Sequence, residues 1–510
     1  MKIFSVEQLA EADKITIEKQ GITSEMLMER AATMVFDEIH KRLQRAPVSI
    51  KIFCGIGNNG GDGLVIGRLL QQHGYNVRVF VVNYSNNRSK DFLSNYEKIK
   101  ENTNEWPILI KGVDDFPEIS SGDFVIDAIF GIGLNRPIEG WVALLIEAIN
   151  KSNAFVLAVD MPSGLFTNKI PSETDAVIRA SFTISFQAPK LVFYLPQAER
   201  YVGDLQVVDI QLDREYLAKA TSNVQLIGKQ EAISLYKPRT NFSHKGDYGH
   251  SLIIGGSYGK IGSISLTATA ALRTGAGLVS IYAPKCGYII LQSVLPEAMV
   301  LTDESEEELN NIQFDLEPSV ICFGMGAGTS EGTVKTFEAL LRKTEKPMVI
   351  DADGLNMLSK NKILLKEIPK NSVLTPHPKE LERLIGKWDD DFQKLEMAKK
   401  FSKEHEIILV IKGAHSITVS GENLYINNTG NPGMATAGAG DVLSGVITGL
   451  MSQGYDPLIS AVFGIYLHGK AGDIVAEKMS YQGMIAGDIA KHIGDAFLDL
   501  FKNEQNSIQN

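Results

Sequence analysis

Residues 430–441 read GNPGMATAGAGD and run directly into VLSGVITGLMSQG (442–454). A strand-rich segment, IILVIKGAHSITV (407–419), precedes them. Leu443, Ile447 and Leu450 recur at helical spacing, as do Val442 and Val446. The glycines therefore fall where a loop turns into a helix. Gly438 and Gly440 put no side chain between the backbone N–H groups and an approaching ligand. A helix start adds unpaired donors and the positive end of its dipole, which together suit an anion. Asp441 then sets a carboxylate in the first turn, beside that anion. Two neighbouring negative charges repel, so the acid needs a reason to be there. Taking a proton from a hydroxyl that attacks a phosphate is such a reason. The plainer alternative is an acid that only complements the dipole, worth about 0.3–1 kcal/mol.

The chain around this stretch has 510 residues, too many for one ordinary core, so two or three domains are expected. It is 44% apolar and 22% charged, the composition of a soluble globular protein. A net charge of −11 argues against general nucleic-acid binding. Apolar runs are too short to predict a membrane span, and the acidic, helix-patterned start MKIFSVEQLAEADKITIEK does not read as a signal peptide. Cys54, Cys286 and Cys322 are few and far apart. They read as reduced thiols in a cytoplasmic protein.

Upstream of the opening stretch, strands alternate with helices and end in ligand-type loops, which predicts a parallel or mostly parallel sheet. Arg239, His244, Lys245 and Asp247 crowd one entry loop, as a ligand loop or as plain polar surface. Ser263, Ser265, Ala268, Ala270 and Ala271 make a helix that a backbone or a flat ligand can approach closely. Asp351 and Asp353 follow a strand and either hold Mg²⁺ through water or cap their loop. His377 sits between two prolines, on a stiff loop. Lys412 to Ser416 (KGAHS) offers a cation and open N–H groups after an apolar strand, which suits a nucleotide.

The first half reads differently in detail. Residues 1 to about 45 are helical, with a Ser5–Gln8 capping box and an apolar face that includes Leu9 and Met26 to Met28; these are packing features. VSIKIFC (48–54), a glycine loop and a helix ending at Gly74 make a Rossmann-like βαβ outline. The loop holds NNGGDG (58–63) in place of GxGxxG, and is read as a ligand loop. Asp127 lies inside the apolar run FVIDAIF (124–130), and a buried acid must be paired or bind a cation. Asn59, Asp127 and Ser163 are hard oxygen donors at strand ends that could converge on a cation, which their spacing alone does not establish. Lys190 follows Ala188-Pro189; a lone lysine there reads by default as surface.

Two resemblances cover most of the chain. NNGGDG, FVIDAIFGIGLNRP (124–137), AVDMPSG (158–164) and QAPK (187–190) make residues 1 to about 215 similar to NAD(P)H-hydrate epimerase domains. HKGDYGH (244–250), GMGAG (324–328), DADGLN (351–356), TPHPKE (375–380), KGAHS and NPGMATAGAGD make residues about 225 to 495 resemble the ADP/ATP-dependent NAD(P)H-hydrate dehydratases, which are ribokinase-like. The resemblance implies an α/β chain with a Rossmann-like epimerase domain at 1–217 and a ribokinase-like dehydratase domain at 225–500. It implies that Asn58, Asn59, Gly60, Gly61 and Asp62, with Gly131, Ile132, Gly133, Leu134, Asn135, Arg136 and Pro137, hold the substrate's phosphates and sugars. It also implies that Asp160 contacts substrate, and Asp160 and Lys190 are the acid–base candidates. K⁺ is expected on Asn59, Asp127 and Ser163. In the second half, Ser263, Gly326, His377 and Asp441 are expected to bind the S epimer of the hydrate, with Asp441 as base. ADP or ATP with Mg²⁺ is expected at Lys412, Gly413, Ala414, His415, Ser416 and Gly440. The implied substrates are NADHX and NADPHX, with no nucleic-acid or membrane partner and with homo-oligomers expected. The rival reading is a ribokinase-like small-molecule kinase fused to a dinucleotide-binding module.

Overall fold

The structure, a computed structural model, describes residues 1–103 and 105–502. The chain forms two compact units, one of residues 2–222 with 390–392, the other of Met1, 223–389 and 393 onward.

In the first unit the described residues form a seven-stranded sheet. Its strands are β1 (Ser49–Cys54), β2 (Asn76–Val82), β3 (Ile108–Ile110), β4 (Phe124–Ala128), β5 (Phe155–Val159), β6 (Phe182–Phe186) and β7 (Asp204–Val208). The order is β3-β2-β1-β4-β5-β6-β7, parallel throughout. The order reverses between β1 and β4, and the crevice outside their carboxyl ends is where an open sheet takes its ligand. Helices α1 (Val6–Gln20), α2 (Ser24–Leu43) and α3 (Asn58–Gln72) precede and follow β1. Ser5 and Gln8 close the capping box of α1. Met26, predicted to lie on the apolar face of α2, is instead 55% exposed.

NNGGDG is not a loop. It is the first turn and a half of α3, and only Gly55–Gly57 turn the chain. The reason is packing. A Cβ on Gly60 would stand 1.9 Å from the Gly55 carbonyl oxygen, and one on Gly63 would stand 2.7 Å from Cys54 Sγ. The helix start can press on the end of β1 only without those side chains.

The second unit carries a ten-stranded sheet among its described residues. Its strands are β8 (Val224–Ile227), β9 (His250–Ile254), β10 (Leu278–Ala283), β11 (Met299–Thr302), β12 (Val320–Phe323), β13 (Met348–Ile350), β14 (Val373–Leu374), β15 (Ile408–Ile411), β16 (Ile417–Ser420) and β17 (Asn423–Asn427). The order is β11-β10-β9-β12-β13-β14-β15-β16-β17-β8. Pairing is parallel from β11 to β15, then antiparallel for β15/β16 and β16/β17. Lys412–Ser416 is thus the turn of a hairpin.

The opening stretch becomes the helix Ala439–Ser452, entered through Gly438 at φ 88, a left-handed value that favours glycine. Its apolar residues Val442, Leu443, Val446, Ile447 and Leu450 are all buried. The small-residue helix Ile261–Thr274 lies against it at backbone distance. A Cβ on Gly445 would stand 2.2 Å from the Thr267 carbonyl oxygen, and one on Gly449 would stand 2.7 Å from that of Ala271. Of the two readings of those small residues, close helix packing accounts for this face.

The helix Pro457–Lys478 is long and apolar enough to cross a membrane by length and composition, where the sequence reading found no such run. With 78% of its apolar window buried, it is a core helix of this unit.

Candidate active sites at the two sheet ends

A cavity of about 590 Å³ opens at the carboxyl ends of the first sheet. Asn58, Asn59 and Asp62 line it from α3, Gly131 to Arg136 from the loop after β4, Asp160 from the end of β5, and Lys190 from the segment after β6. Lys190 is only 3% exposed, so it is no surface lysine. Its ammonium donates to Asp160 Oδ1 at 2.6 Å and to Ser185 Oγ at 2.6 Å. Asp160 has φ 65, uncommon for a residue other than glycine, and Phe186 N–H donates to its Oδ1 at 3.3 Å. Strain of this kind persists where the surroundings over-determine it, and the ion pair does so here.

Beside the cavity wall, Asp127 is fully buried. Ser163 donates to it from N–H at 2.7 Å and from Oγ at 2.6 Å, and Ile129 N–H donates at 3.2 Å. Burial still pushes its carboxyl up to about 6, against the pull of those bonds. Asn59 is 8% exposed, and neither its Oδ1 nor its Nδ2 has a hydrogen-bond partner among the described residues. Orphaned amide oxygen, buried carboxylate and hydroxyl are hard donors, the set an alkali cation takes. Asp62 is also buried, and its carboxyl is raised well above the usual range by burial and by the charges of Asp160, Asp13 and Asp91.

The second site assembles around the start of the helix Ala439–Ser452. Asp441 is the third residue of that helix. Its carboxyl is pushed up to about 6, by burial first and by the charge of Asp351 next; a hydrogen bond with Ser263 and the nearby Lys412 pull it down. Lys412 itself pairs with Asp351 Oδ1 at 2.9 Å, and Ser444 Oγ donates to Asp351 Oδ2 at 2.7 Å. A Cβ on Gly440 would stand 3.3 Å from Lys412 Nζ, so the glycine lets the ammonium settle over the helix start. Gly326 lies against Ser263, with 3.4 Å from a Cβ built on Gly326 to Ser263 Cβ. Lys412 N–H donates to the Pro376 carbonyl at 3.0 Å, which ties the hairpin turn to the loop of His377. His377 caps the helix Pro378–Ile385, accepting from Lys379 and Glu380 N–H through Nδ1 at 3.1 and 3.4 Å.

A model of the NAD(P)H-hydrate dehydratase family matches residues 251–494, and a model of the YjeF-related protein N-terminus matches residues 24–192. The bifunctional NAD(P)H-hydrate repair enzyme of Moorella thermoacetica is 35% identical over 96% of this chain and 95% of its own length. This chain belongs to that repair-enzyme family. The Thermofilum pendens member is 33% identical, over 97% of this chain and 96% of its own. The solved ADP/ATP-dependent NAD(P)H-hydrate dehydratase of Bacillus subtilis, co-crystallised with ATP/Mg²⁺, is 25% identical. It covers 55% of this chain and 100% of that one, with a TM-score of 0.49.

Within this NAD(P)H-hydrate repair chain, several of the residues singled out in the sequence also serve packing or loop closure. Gly60 and Gly61 pack closely, Gly60 on the Gly55 carbonyl and Gly61 against Met28 Sδ, and Pro137 follows the cavity-lining residues 131–136. Arg239 donates to the Gly275 carbonyl at 2.5 Å and lies over the Tyr248 ring at 3.8 Å, which holds its loop on the unit. Asp353 accepts from Gly328 N–H at 2.9 Å and so acts as a loop cap.

Other side chains at the sites escaped the sequence reading. Asp13 of α1 lines the first cavity. Glu380 is buried near Lys412 and Asp351, raised by burial. His468, inside the apolar helix, is pushed down to about 4 by burial and contacts the Ala439 backbone. The spacing His377-x-x-Glu380 is a capping-box pattern that marks Glu380. Asp13 and His468 carry no local signal.

Proposed function

We propose that this chain repairs hydrated nicotinamide dinucleotides. Its first unit, taken as residues 1–217, interconverts the R and S epimers of NADHX and NADPHX. Its second, taken as residues 225–500, dehydrates the S epimer to NADH or NADPH at the expense of ADP or ATP. The observation that carries the reading is Asp441: a partly buried carboxylate with a raised pKa in the first turn of a glycine-opened helix, beside Lys412.

Hydroxide is a poor leaving group. Asp441 accepts the proton of the ring hydroxyl as its oxygen attacks the terminal phosphorus. A carboxyl near 6 is mostly ionised at neutral pH yet binds a proton readily, as a general base should. N–H groups of Ala439 to Asp441 and the Lys412 ammonium meet the charge on the moving phosphoryl group. The N1 lone pair then expels phosphate from C6, and the C5 proton passes to the departing phosphate, restoring the double bond. Ser263, Gly326 and His377 flank the reacting ring, and the 412–416 turn with Gly440 takes the nucleotide. A Mg²⁺ bound with the nucleotide would lower the charge of its phosphates. Asp351, already paired with Lys412, would meet such a cation through water, while Asp353 is taken up as a loop cap.

In the first unit the loop 131–137 and the start of α3 hold the dinucleotide, while Asp160 and Lys190 move protons at C6. Asn59, Asp127 and Ser163 would hold K⁺, which would offset the buried charge of Asp127. A chain with both activities consumes either epimer.

The test uses the full chain with a mixture of NADHX epimers. With ADP or with ATP, absorbance in the NADH band is expected to return until both epimers are gone. No return with either nucleotide, or a stable phosphorylated product, would count against the reading.

A further inference from the structure

Two acids, Asp13 and Asp62, line the first cavity beyond the Asp160 that moves protons in the reaction above. Asp13 comes from α1, apart from the strand ends that carry the other groups. It lines the same cavity as Asp62, Asp160 and Lys190 and feels the charges of Asp160 and Lys190. Unlike Asp160, it has neither a hydrogen bond nor an ion-pair contact among the described residues. Its neighbours Leu9, Ala12 and Thr16 hold α1 on the core, so its backbone position is fixed while its carboxyl is left for a ligand. The neighbouring unpartnered amide of Asn59 marks the same wall as built for something not made of protein.

Resting on the epimerase reading, we infer that Asp13 is a second catalytic acid–base residue, working with Asp160 on the C6 hydroxyl of the hydrated ring. Epimerisation moves oxygen from one face of C6 to the other. One carboxylic acid gives its proton to the C6 hydroxyl. The C6–O bond breaks, water leaves, and the N1 lone pair forms an N1=C6 iminium. Water adds to the opposite face of C6, the N1=C6 π pair returns to N1, and the second carboxylate takes the released proton. No atom or electron is gained; one proton has crossed from one carboxyl to the other, and the reverse reaction resets them. A single carboxylate serves one face only. Two acids on different elements, with one ammonium between them in charge, serve both. Burial and Asp160 raise the Asp13 carboxyl to about 6, with Lys190 opposing, which leaves both of its protonation states within reach near neutral pH.

The test is Asp13→Asn in the full chain, with Asp13→Glu beside it. Epimer exchange is followed by chromatography, and dehydration of resolved S epimer by absorbance. Asp13→Asn is expected to lower kcat for exchange about 100-fold, the usual reach of one general acid–base group, with KM changed less than about threefold. The exchange pH profile should lose one limb. Asp13→Glu should recover part of the rate, which shows that the first unit is folded, and dehydration of the S epimer in the second unit should be unchanged. Exchange within about threefold of the parent, a loss confined to KM, or an unmoved pH profile overturns the inference and leaves the epimerase reading standing. No exchange by the unmodified chain overturns that reading itself, and the inference with it.

Discussion

Each unit sets a lysine–aspartate ion pair at the carboxyl ends of parallel strands, and the two pairs differ in what they leave over. In the first unit Lys190 and Asp160 are both almost wholly buried and lie 2.6 Å apart. In the second, Lys412 is partly open and pairs with Asp351 at 2.9 Å. The acid we assign to chemistry there, Asp441, has no ammonium of its own. It sits beside an acid that has one, and Asp351 pushes it up. A catalytic carboxylate can thus be made in two ways: by fixing an acid with a cation inside a cavity, or by giving the cation to its neighbour. Both sites also store backbone strain at the strand end, Asp160 at φ 65 and Ala352, directly after Asp351, at φ 50.

The sharpest way to break this contrast is Asp441→Asn. If Asp441 is the base, kcat for dehydration should fall about 1,000-fold, within the range of general-base loss, while epimer exchange is unchanged. Retained dehydration would return Asp441 to the role of a helix-start acid.

Next in size is Lys190→Met. It strands Asp160 as a buried charge, and breaking such a pair costs about 3–5 kcal/mol. Thermal unfolding of the first unit should move down accordingly. The double variant Asp160→Asn/Lys190→Met should recover much of that stability without recovering exchange. A single variant as stable as the parent would mean that Asp160 is not held by Lys190.

The contrast was only half legible in the sequence. The glycine–acid junction at 438–441 could be read because its signal is local: a loop, a glycine pair, then helical spacing. The strands could be read for the same reason. NNGGDG was misread because Asn and Gly favour turns locally, and the contact that makes them helical, Gly60 on the Gly55 carbonyl, is set by packing. Lys190 reads as surface until β6 and Ser185 close over it. Asp13 reads as a solvated helix acid, since only the fold brings α1 to the cavity. The 412–416 turn looked like one more parallel strand end because the antiparallel return of β16 depends on pairing, which composition does not encode.

A smaller effect comes from pH. The folded chain binds the Asp441 proton more tightly than the unfolded chain does. That group's contribution to stability is therefore fully present below about pH 4 and is lost as pH rises through about 6. Asp441→Asn should gain about 2 kcal/mol over the parent at pH 8, after allowance for solvent screening, and nothing at pH 4. Dehydration by the parent should rise with pH through the same value. Denaturant midpoints and initial rates across pH 4–8 check both, and opposite slopes would contradict the raised carboxyl.

The smallest effect expected is at Asp353, and it separates the two acids of DADGLN. Asp351 is bound to Lys412 and Ser444, one step from the chemistry; Asp353 is bound to Gly328 N–H and Asn356 Nδ2. Asp353→Asn keeps an oxygen that accepts from Gly328, so the loop is expected to lose about 1 kcal/mol, the value of a charge-assisted cap made neutral. Dehydration rate and its Mg²⁺ dependence should stay within about threefold of the parent. Asp351→Asn, by contrast, frees Lys412 and removes the charge that raises Asp441, so the acidic limb of the dehydration profile should move to lower pH. If Asp353→Asn shifts the Mg²⁺ dependence and Asp351→Asn leaves the pH profile in place, then Asp353 rather than Asp351 is the acid that meets the phosphates.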